Sequence, residues 1–242
     1  MKKFLDRFQF GIRRARTSGG DVPEMKLLAI ETSTLTGSVA LTANKEVLVE
    51  LTLQVEETHS SQLFPAIEYV LKLADSPPGS LDGFAVAAGP GSFTGLRIGM
   101  AAAKGLAAAS SKPIVAVSTL EAMAWQFPFS RYPLCPMIDA RMKEVYGAWF
   151  LADAGIITRS TEDMVLPPKK MVERVREKTV FFGSGANRYR KEIIEALGEL
   201  ALFPAQEIMG ARASLVGLLA AEKLRRGEAS DLATVEPIYI RQ

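Results

Sequence analysis

The chain has 242 residues, 48% of them hydrophobic and 23% charged, and a net charge of +2. That length suits one large or two small domains around a sizeable core, and the near-balanced charge excludes a strong electrostatic footprint for nucleic acid. One cysteine, Cys135, excludes an intrachain disulfide framework, and one histidine, His59, leaves almost nothing from which to build a Ser-His-Asp triad or a His/Cys metal site.

Residues 1–24 read as an appendage. Lys2, Lys3, Arg7, Arg13, Arg14 and Arg16 oppose only Asp6, Asp21 and Glu24, and Phe4, Phe8 and Ile12 recur at i, i+4, i+8, the pattern of a short basic amphipathic helix. Met25 opens directly onto a strand. The expectation is a disordered extension or a mis-assigned start, with the natural protein beginning at Met25. No apolar run suits a secretory signal or a membrane span, which with the lone cysteine predicts a cytoplasmic protein.

A first α/β lobe is expected over 25–130. Strand 26–31 meets a polar turn at 32–37, and the runs 38–42 and 46–53 pair through a hairpin at Ala43-Asn44-Lys45. A helix follows from about Ser60 to Ala74, with Leu63, Ile67, Val70, Leu71 and Leu73 on one apolar face and Pro65 placed in its first turn; His59 stands at its start. Strand 84–88 then runs into Gly89-Pro90-Gly91-Ser92-Phe93-Thr94-Gly95 and an alanine-rich helix to about Ala109. Glycines there permit close backbone approach, and two readings stay open. The helix start holds an anion, with Gly91 and Ser92 in the cradle, or the glycines serve tight packing. The pattern is neither a P-loop nor a dinucleotide fingerprint. Strand 113–117 and a helix opened by the capping box Ser118-Thr119-Leu120-Glu121 complete the lobe.

A second α/β lobe is expected over 131–242. Strands are predicted at 134–139, 144–150 and 156–158, then a helix at 168–177 behind Pro167. Val180-Phe181-Phe182 leads into Gly183-Ser184-Gly185, and a last long helix spans about Arg212 to Arg226. Asp139 and Arg141 at the turn after 134–139 fit either a phosphate or metal contact or a turn cap with an ion pair.

Taken together, Leu28-Ala29-Ile30-Glu31-Thr32-Ser33, Gly89 to Gly99, Val117-Ser118-Thr119-Leu120, Ile138 to Tyr146 and Glu236-Pro237-Ile238-Tyr239-Ile240-Arg241 resemble the TsaB (YeaZ) family, over essentially all of 25–242. The resemblance implies the actin-like, two-lobed α/β ATPase fold and a non-catalytic role in making threonylcarbamoyladenosine on tRNA. Glu31 stands where the family usually has Asp, and Lys143 where it usually has Gly. The catalytic paralogue, TsaD, carries H-x-E-x-H where this chain reads Thr119-Leu120-Glu121-Ala122-Met123, so no catalytic residue and no metal ligand is expected here.

The resemblance further implies a TsaD-type partner, a TsaE-type small ATPase, a homodimer when the chain is alone, and tRNA touched at most indirectly. No cofactor is required on this reading, with room only for weak ATP or ADP binding at the partner interface. The expected interface uses Leu63, Ile67, Val70 and Leu71 with Gly99, Ala102, Ala103 and Leu106, where small residues permit close helix approach. On pattern alone these residues equally suit packing on the chain's own sheet. Glu31, Ser33, Gly91, Ser92, Asp139, Arg141, Gly183 and Gly185 are the candidates for a vestigial phosphate or nucleotide site. An independent ATP-dependent phosphotransferase, with Glu31 and Asp139 as its acids, is the rival reading.

Overall fold

The computed structural model describes residues 24–54, 60–205 and 210–240; residues 1–23 and His59 lie outside them. Strands β1 (Lys26–Glu31), β2 (Thr36–Ala43) and β3 (Glu46–Gln54) form an antiparallel meander. Helix α1 (Ser60–Leu73), strand β4 (Gly83–Gly89), helix α2 (Phe93–Ser110), strand β5 (Ile114–Ser118) and helix α3 (Thr119–Ala124) follow. β4 and β5 run parallel to β1, and the sheet order is β3-β2-β1-β4-β5. Pro65 falls in the second turn of α1, one turn later than the sequence suggests.

Alternation along the strands divides the side chains between two faces. Leu28, Ile30, Val39, Leu41, Phe84 and Val86 meet α1 and α2 on one side. Leu27, Ala29, Ala40, Ala85 and Ala87 point to the other. The second face is rich in alanine, so a helix can approach it closely, and the chain's last helix does so.

The second sheet is built from β6 (Leu134–Asp139), β7 (Val145–Gly147), β8 (Phe150–Asp153), β9 (Ile156–Arg159) and β10 (Met164–Leu166), and after α4 (Pro168–Val172) from β11 (Thr179–Phe182). Helices α5 (Ser184–Arg188) and α6 (Arg190–Leu197), strand β12 (Ala201–Leu202) and helix α7 (Ala213–Arg225) complete it. The path is β10-β7-β6-β11-β12, with β8 joining β6 to β9.

Two differences from the sequence expectation have local causes. The single strand foreseen at 144–150 is broken because Thr161 Oγ1 accepts the Trp149 N–H at 3.0 Å while the Trp149 carbonyl accepts from Ser160 N at 2.8 Å, which interrupts the ladder. The helix foreseen at 168–177 stops at Val172, since Val175 N–H bonds back only three residues, to the Val172 carbonyl.

The boundary expected near 130 separates the two sheets, yet α7 lies on β1, β2, β4 and β5 of the first. A Cβ on Gly217 would come within 3.2 Å of Ala29 Cβ, so the missing side chain sets that approach. The start of α7 is capped from the sheet: Ser38 Oγ accepts from Ala213 N and Glu50 Oε1 from Ser214 N, both at 2.9 Å, while Glu50 Oε2 also pairs with Arg212. A carboxylate at the positive end of a helix is favourable on both hydrogen-bonding and dipole grounds. Beyond α7 the chain returns as an irregular strap. Ser230 N bonds the Ile114 carbonyl, Lys104 Nζ reaches the Val235 carbonyl at 2.9 Å, and Ile238 N bonds the Ala88 carbonyl at 2.7 Å. Among the described residues no helix is long and apolar enough to cross a membrane.

Candidate functional site

The carboxyl ends of β1 and β4 bring Glu31, Ser33, Gly91 and Ser92 together. Ser92 N donates to the Ser33 carbonyl at 2.7 Å, Thr32 Oγ1 donates to the Gly95 carbonyl at 2.7 Å, and Ser92 Oγ caps α2 by accepting from Gly95 N at 3.3 Å. A Cβ on Gly91 would stand 2.4 Å from the Ser33 carbonyl oxygen, and one on Gly95 would stand 2.0 Å from that of Thr32. The glycine loop is thus pressed onto the chain's own turn after β1. Close packing, one of the two readings of these glycines, is present at Gly91 and Gly95.

Glu31 closes the bottom of this cluster and is fully buried. Its Oε1 accepts from Ser33 N at 2.7 Å and from Ser33 Oγ, while its Oε2 has no partner among the described residues. Burial pushes the carboxyl up from 4.5 to about 7, against the opposing pull of the two Ser33 hydrogen bonds. A carboxyl so placed is shielded on all sides and spends much of its time protonated near neutrality.

The second lobe assembles a separate cluster. Asp139 Oδ1 caps the turn by accepting from Arg141 N at 3.1 Å, and Asp139 Oδ2 pairs with Arg188 at 2.7 Å. The turn cap foreseen for Asp139 is present, but its ionic partner is Arg188; Arg141 points out into solvent. Asp139 N donates to Ser184 Oγ at 3.1 Å, which ties the Gly183-Ser184-Gly185 turn to the end of β6. A Cβ on Gly183 would lie 2.3 Å from the Met137 carbonyl and 2.6 Å from Met123 Cε; one on Gly185 would lie 2.9 Å from the Ile138 carbonyl carbon. Both glycines are occupied in packing.

Met123 therefore wedges the first lobe against the second, and Thr119, one helical turn earlier, is fully buried. Of the three side chains at the expected metal positions, the thioether and the hydroxyl are sealed from solvent, leaving Glu121 as the single carboxylate; that donor set does not fit a zinc or iron ion. Arg159 strengthens the junction by donating to Ser118 Oγ at 2.7 Å while pairing with Asp163.

The residues expected at a partner interface lie mostly inward. Leu63, Ile67, Val70 and Leu71 are buried against the sheet with Ala102 and Ala103, Leu106 is half-buried, and a Cβ on Gly99 would strike Thr32 Oγ1 at 2.3 Å. The free faces carry other residues. On α1 they are Phe64, Tyr69 and Leu73, exposed to 56%, 45% and 45%; Leu73, expected on the apolar face, stands about 200° around the helix from the buried Leu71 and so turns outward. On α2 the outward row is Arg97, Ala101, Gly105 and Ala108, and a Cβ on Gly105 would meet nothing within 4 Å.

Comparison with known proteins places this architecture. Residues 53–241 match the family model described as TsaD, tRNA N6-adenosine threonylcarbamoyltransferase. The tRNA threonylcarbamoyladenosine biosynthesis protein TsaB of Bacillus subtilis (strain 168) is 31% identical over 220 residues, covering 90% of this chain and 94% of that protein. The chain belongs to the TsaB (YeaZ) family. The solved structure of YeaZ from Pseudomonas aeruginosa superposes with a TM-score of 0.75 at 29% identity, over 89% of this chain and 99% of that one. The ethanolamine utilization protein EutJ from Carboxydothermus hydrogenoformans shares the fold alone, with a TM-score of 0.52 at 12% identity over 83% and 91% of the two chains. The fold is the actin-like ATPase fold.

For this TsaB-family chain, two sets of residues escape a reading by sequence. The outward positions of α1 and α2 lie one helical face away from the buried ones, and the periodicity marks both faces equally. The pairing of Arg97 with Phe93 and Tyr239 joins residues 142 positions apart through the C-terminal strap. A basic residue in the first turns of α2 and a lone tyrosine near the end were the available signals.

Proposed function

We propose that this TsaB-family chain serves tRNA threonylcarbamoyladenosine biosynthesis as a non-catalytic subunit that holds the TsaD-type catalytic paralogue on the outward face of α1 and α2, with a TsaE-type ATPase joining the assembly. The observation that carries the reading is the exposure of Phe64 on one flank of α1 and of Tyr69 and Leu73 on the other, beside the small outward residues Ala101, Gly105 and Ala108 of α2. Large apolar side chains on one helix and a nearly flat neighbour give a second helix pair room to interdigitate, and a stable contact needs about 800 Å² per side. In the absence of the paralogue the same face pairs two copies of this chain.

Packing of the interlobe floor supports a scaffold over a phosphotransferase. Glu31 is fully buried, and the glycines that would cradle phosphate are filled by Ser33, Met123 and Met137. No nucleotide is needed for the role proposed.

Size-exclusion chromatography with light scattering, on the chain alone and mixed with the paralogue of the same organism, tests the reading. A homodimer giving way to a heterodimer is expected. The absence of any mixed species at micromolar concentrations overturns it. Gly105→Arg adds a long cation to the middle of the face without touching the core and is expected to abolish pairing; Ala103→Arg does not serve, because Ala103 is fully buried.

A further inference from the structure

At the start of α2 the outward face runs into a cavity of about 200 Å³. It is lined by Pro90 and Gly91 of the glycine loop, by Phe93, by Tyr146 of β7 and by the strap residues Ile238 and Ile240. Tyr239 also lines the cavity, its ring 5.1 Å from that of Phe93. Above both lies Arg97, its guanidinium 3.9 Å from the Phe93 ring centre and its Nε donating to Tyr239 OH at 3.0 Å.

Arg97 is exposed, and among the described residues no carboxylate pairs with it. The Phe93 ring and the Tyr239 hydroxyl orient the guanidinium, so part of the ordering entropy that weakens a surface ion pair is met before a partner arrives. A guanidinium fixed through Nε presents its terminal nitrogens as a fork suited to a carboxylate. The cavity is smaller than the roughly 300–1,000 Å³ of most small-molecule pockets, and its apolar and aromatic walls suit a single side chain of a protein partner. Buried anchors of this kind dominate interface energies.

We infer that the surface for the paralogue continues from α2 into this cavity, where the partner inserts one apolar side chain and places a neighbouring carboxylate on Arg97. The inference rests on the reading above that the paralogue docks on α1 and α2. It makes the C-terminal strap part of the binding surface, since Ile238, Tyr239 and Ile240 build the cavity.

Titration calorimetry of the full chain against the purified paralogue, at low and at high salt, provides the test. Arg97→Glu is expected to weaken association at least about tenfold, with the loss shrinking as salt rises. Ile238→Asp, at a half-exposed position, is expected to weaken it at least about tenfold through the cavity itself. Unchanged melting temperatures establish that both variants fold.

Wild-type affinity in both variants, together with loss of pairing in Gly105→Arg, overturns the cavity contact and leaves the helix contact standing. Loss in Arg97→Glu and Ile238→Asp with wild-type pairing in Gly105→Arg supports the cavity contact and removes the helix face. A salt-independent loss in Arg97→Glu overturns the carboxylate assignment. Weakened tRNA binding in Arg97→Glu with intact paralogue binding overturns the inference in favour of a phosphate contact.

Discussion

Replacing Glu31 by Gln is expected to stabilise this protein at alkaline pH and to change little in acid. Burial raises the native carboxyl from 4.5 to about 7, so between those values the native state holds a proton that the unfolded chain has already released. Stability therefore falls as pH rises through that window and the loss is complete above pH 7; at about 1.4 kcal/mol per pH unit it amounts to about 3 kcal/mol. Gln carries no charge to bury. Its oxygen can accept the two Ser33 hydrogen bonds, and its amide N–H group lacks an acceptor much as the acid's O–H does. Urea unfolding of both proteins at pH 4.5, 6 and 8, followed through Trp125 and Trp149, measures the difference. Subtracting wild type from variant cancels every other titrating group. The difference is expected to grow from near zero to about 3 kcal/mol, or about 6–12 °C in melting temperature for a chain of this size. A difference that stays flat with pH, or that favours wild type at pH 8, refutes the reasoning.

Three further outcomes follow from packing. Gly95→Ala places a Cβ 2.0 Å from the Thr32 carbonyl, a backbone atom that cannot swing aside, and is expected to cost about 1–3 kcal/mol by chemical denaturation. Gly105→Ala meets open space in the middle of α2 and is expected to gain up to about 1 kcal/mol from helix propensity in the same measurement. Cys135 is fully buried and its thiol is pushed far above its ordinary range, so an aromatic disulfide reagent is expected to label it only as the protein unfolds, with a rate that tracks added urea.

The strands at 26–31, 84–88, 134–139 and 180–182 were legible because each is a short, nearly continuous apolar run bounded by turn residues, as buried parallel strands must be. The capping residue Ser118 was legible for a similar reason, since a hydroxyl before an apolar-periodic stretch has a local job. What stayed hidden depends on contacts between distant residues. The periodicity of α1 marks Leu63, Ile67 and Val70 as one stripe but cannot say whether the chain's own sheet or another protein covers it. Helix α6 presents only Ile193 to the core as a fully buried residue, too little apolar signal to announce itself. The strap after α7 has no repeat at all, and its hydrogen bonds to Ile114 and Ala88 join parts of the chain more than a hundred residues apart.

The allocation of the two faces of the first sheet links these observations to function. Alanines on one face admit α7, whose capping by Ser38 and Glu50 binds the end of the chain to the first lobe, while Met123 and Arg159 lock the second lobe to it. The junction around Met123 and Arg159 is a packed core, and such a core resists small deformations. The opposite face is covered by only one layer, α1 and α2, whose outer side still shows three large apolar side chains. On the role proposed, docking on that layer carries a conformational cost set by the side chains that must be ordered on association. The docking of α7 on one face and the covering of the other by α1 and α2 are thus two consequences of one distribution of small and large side chains across β1, β2 and β4.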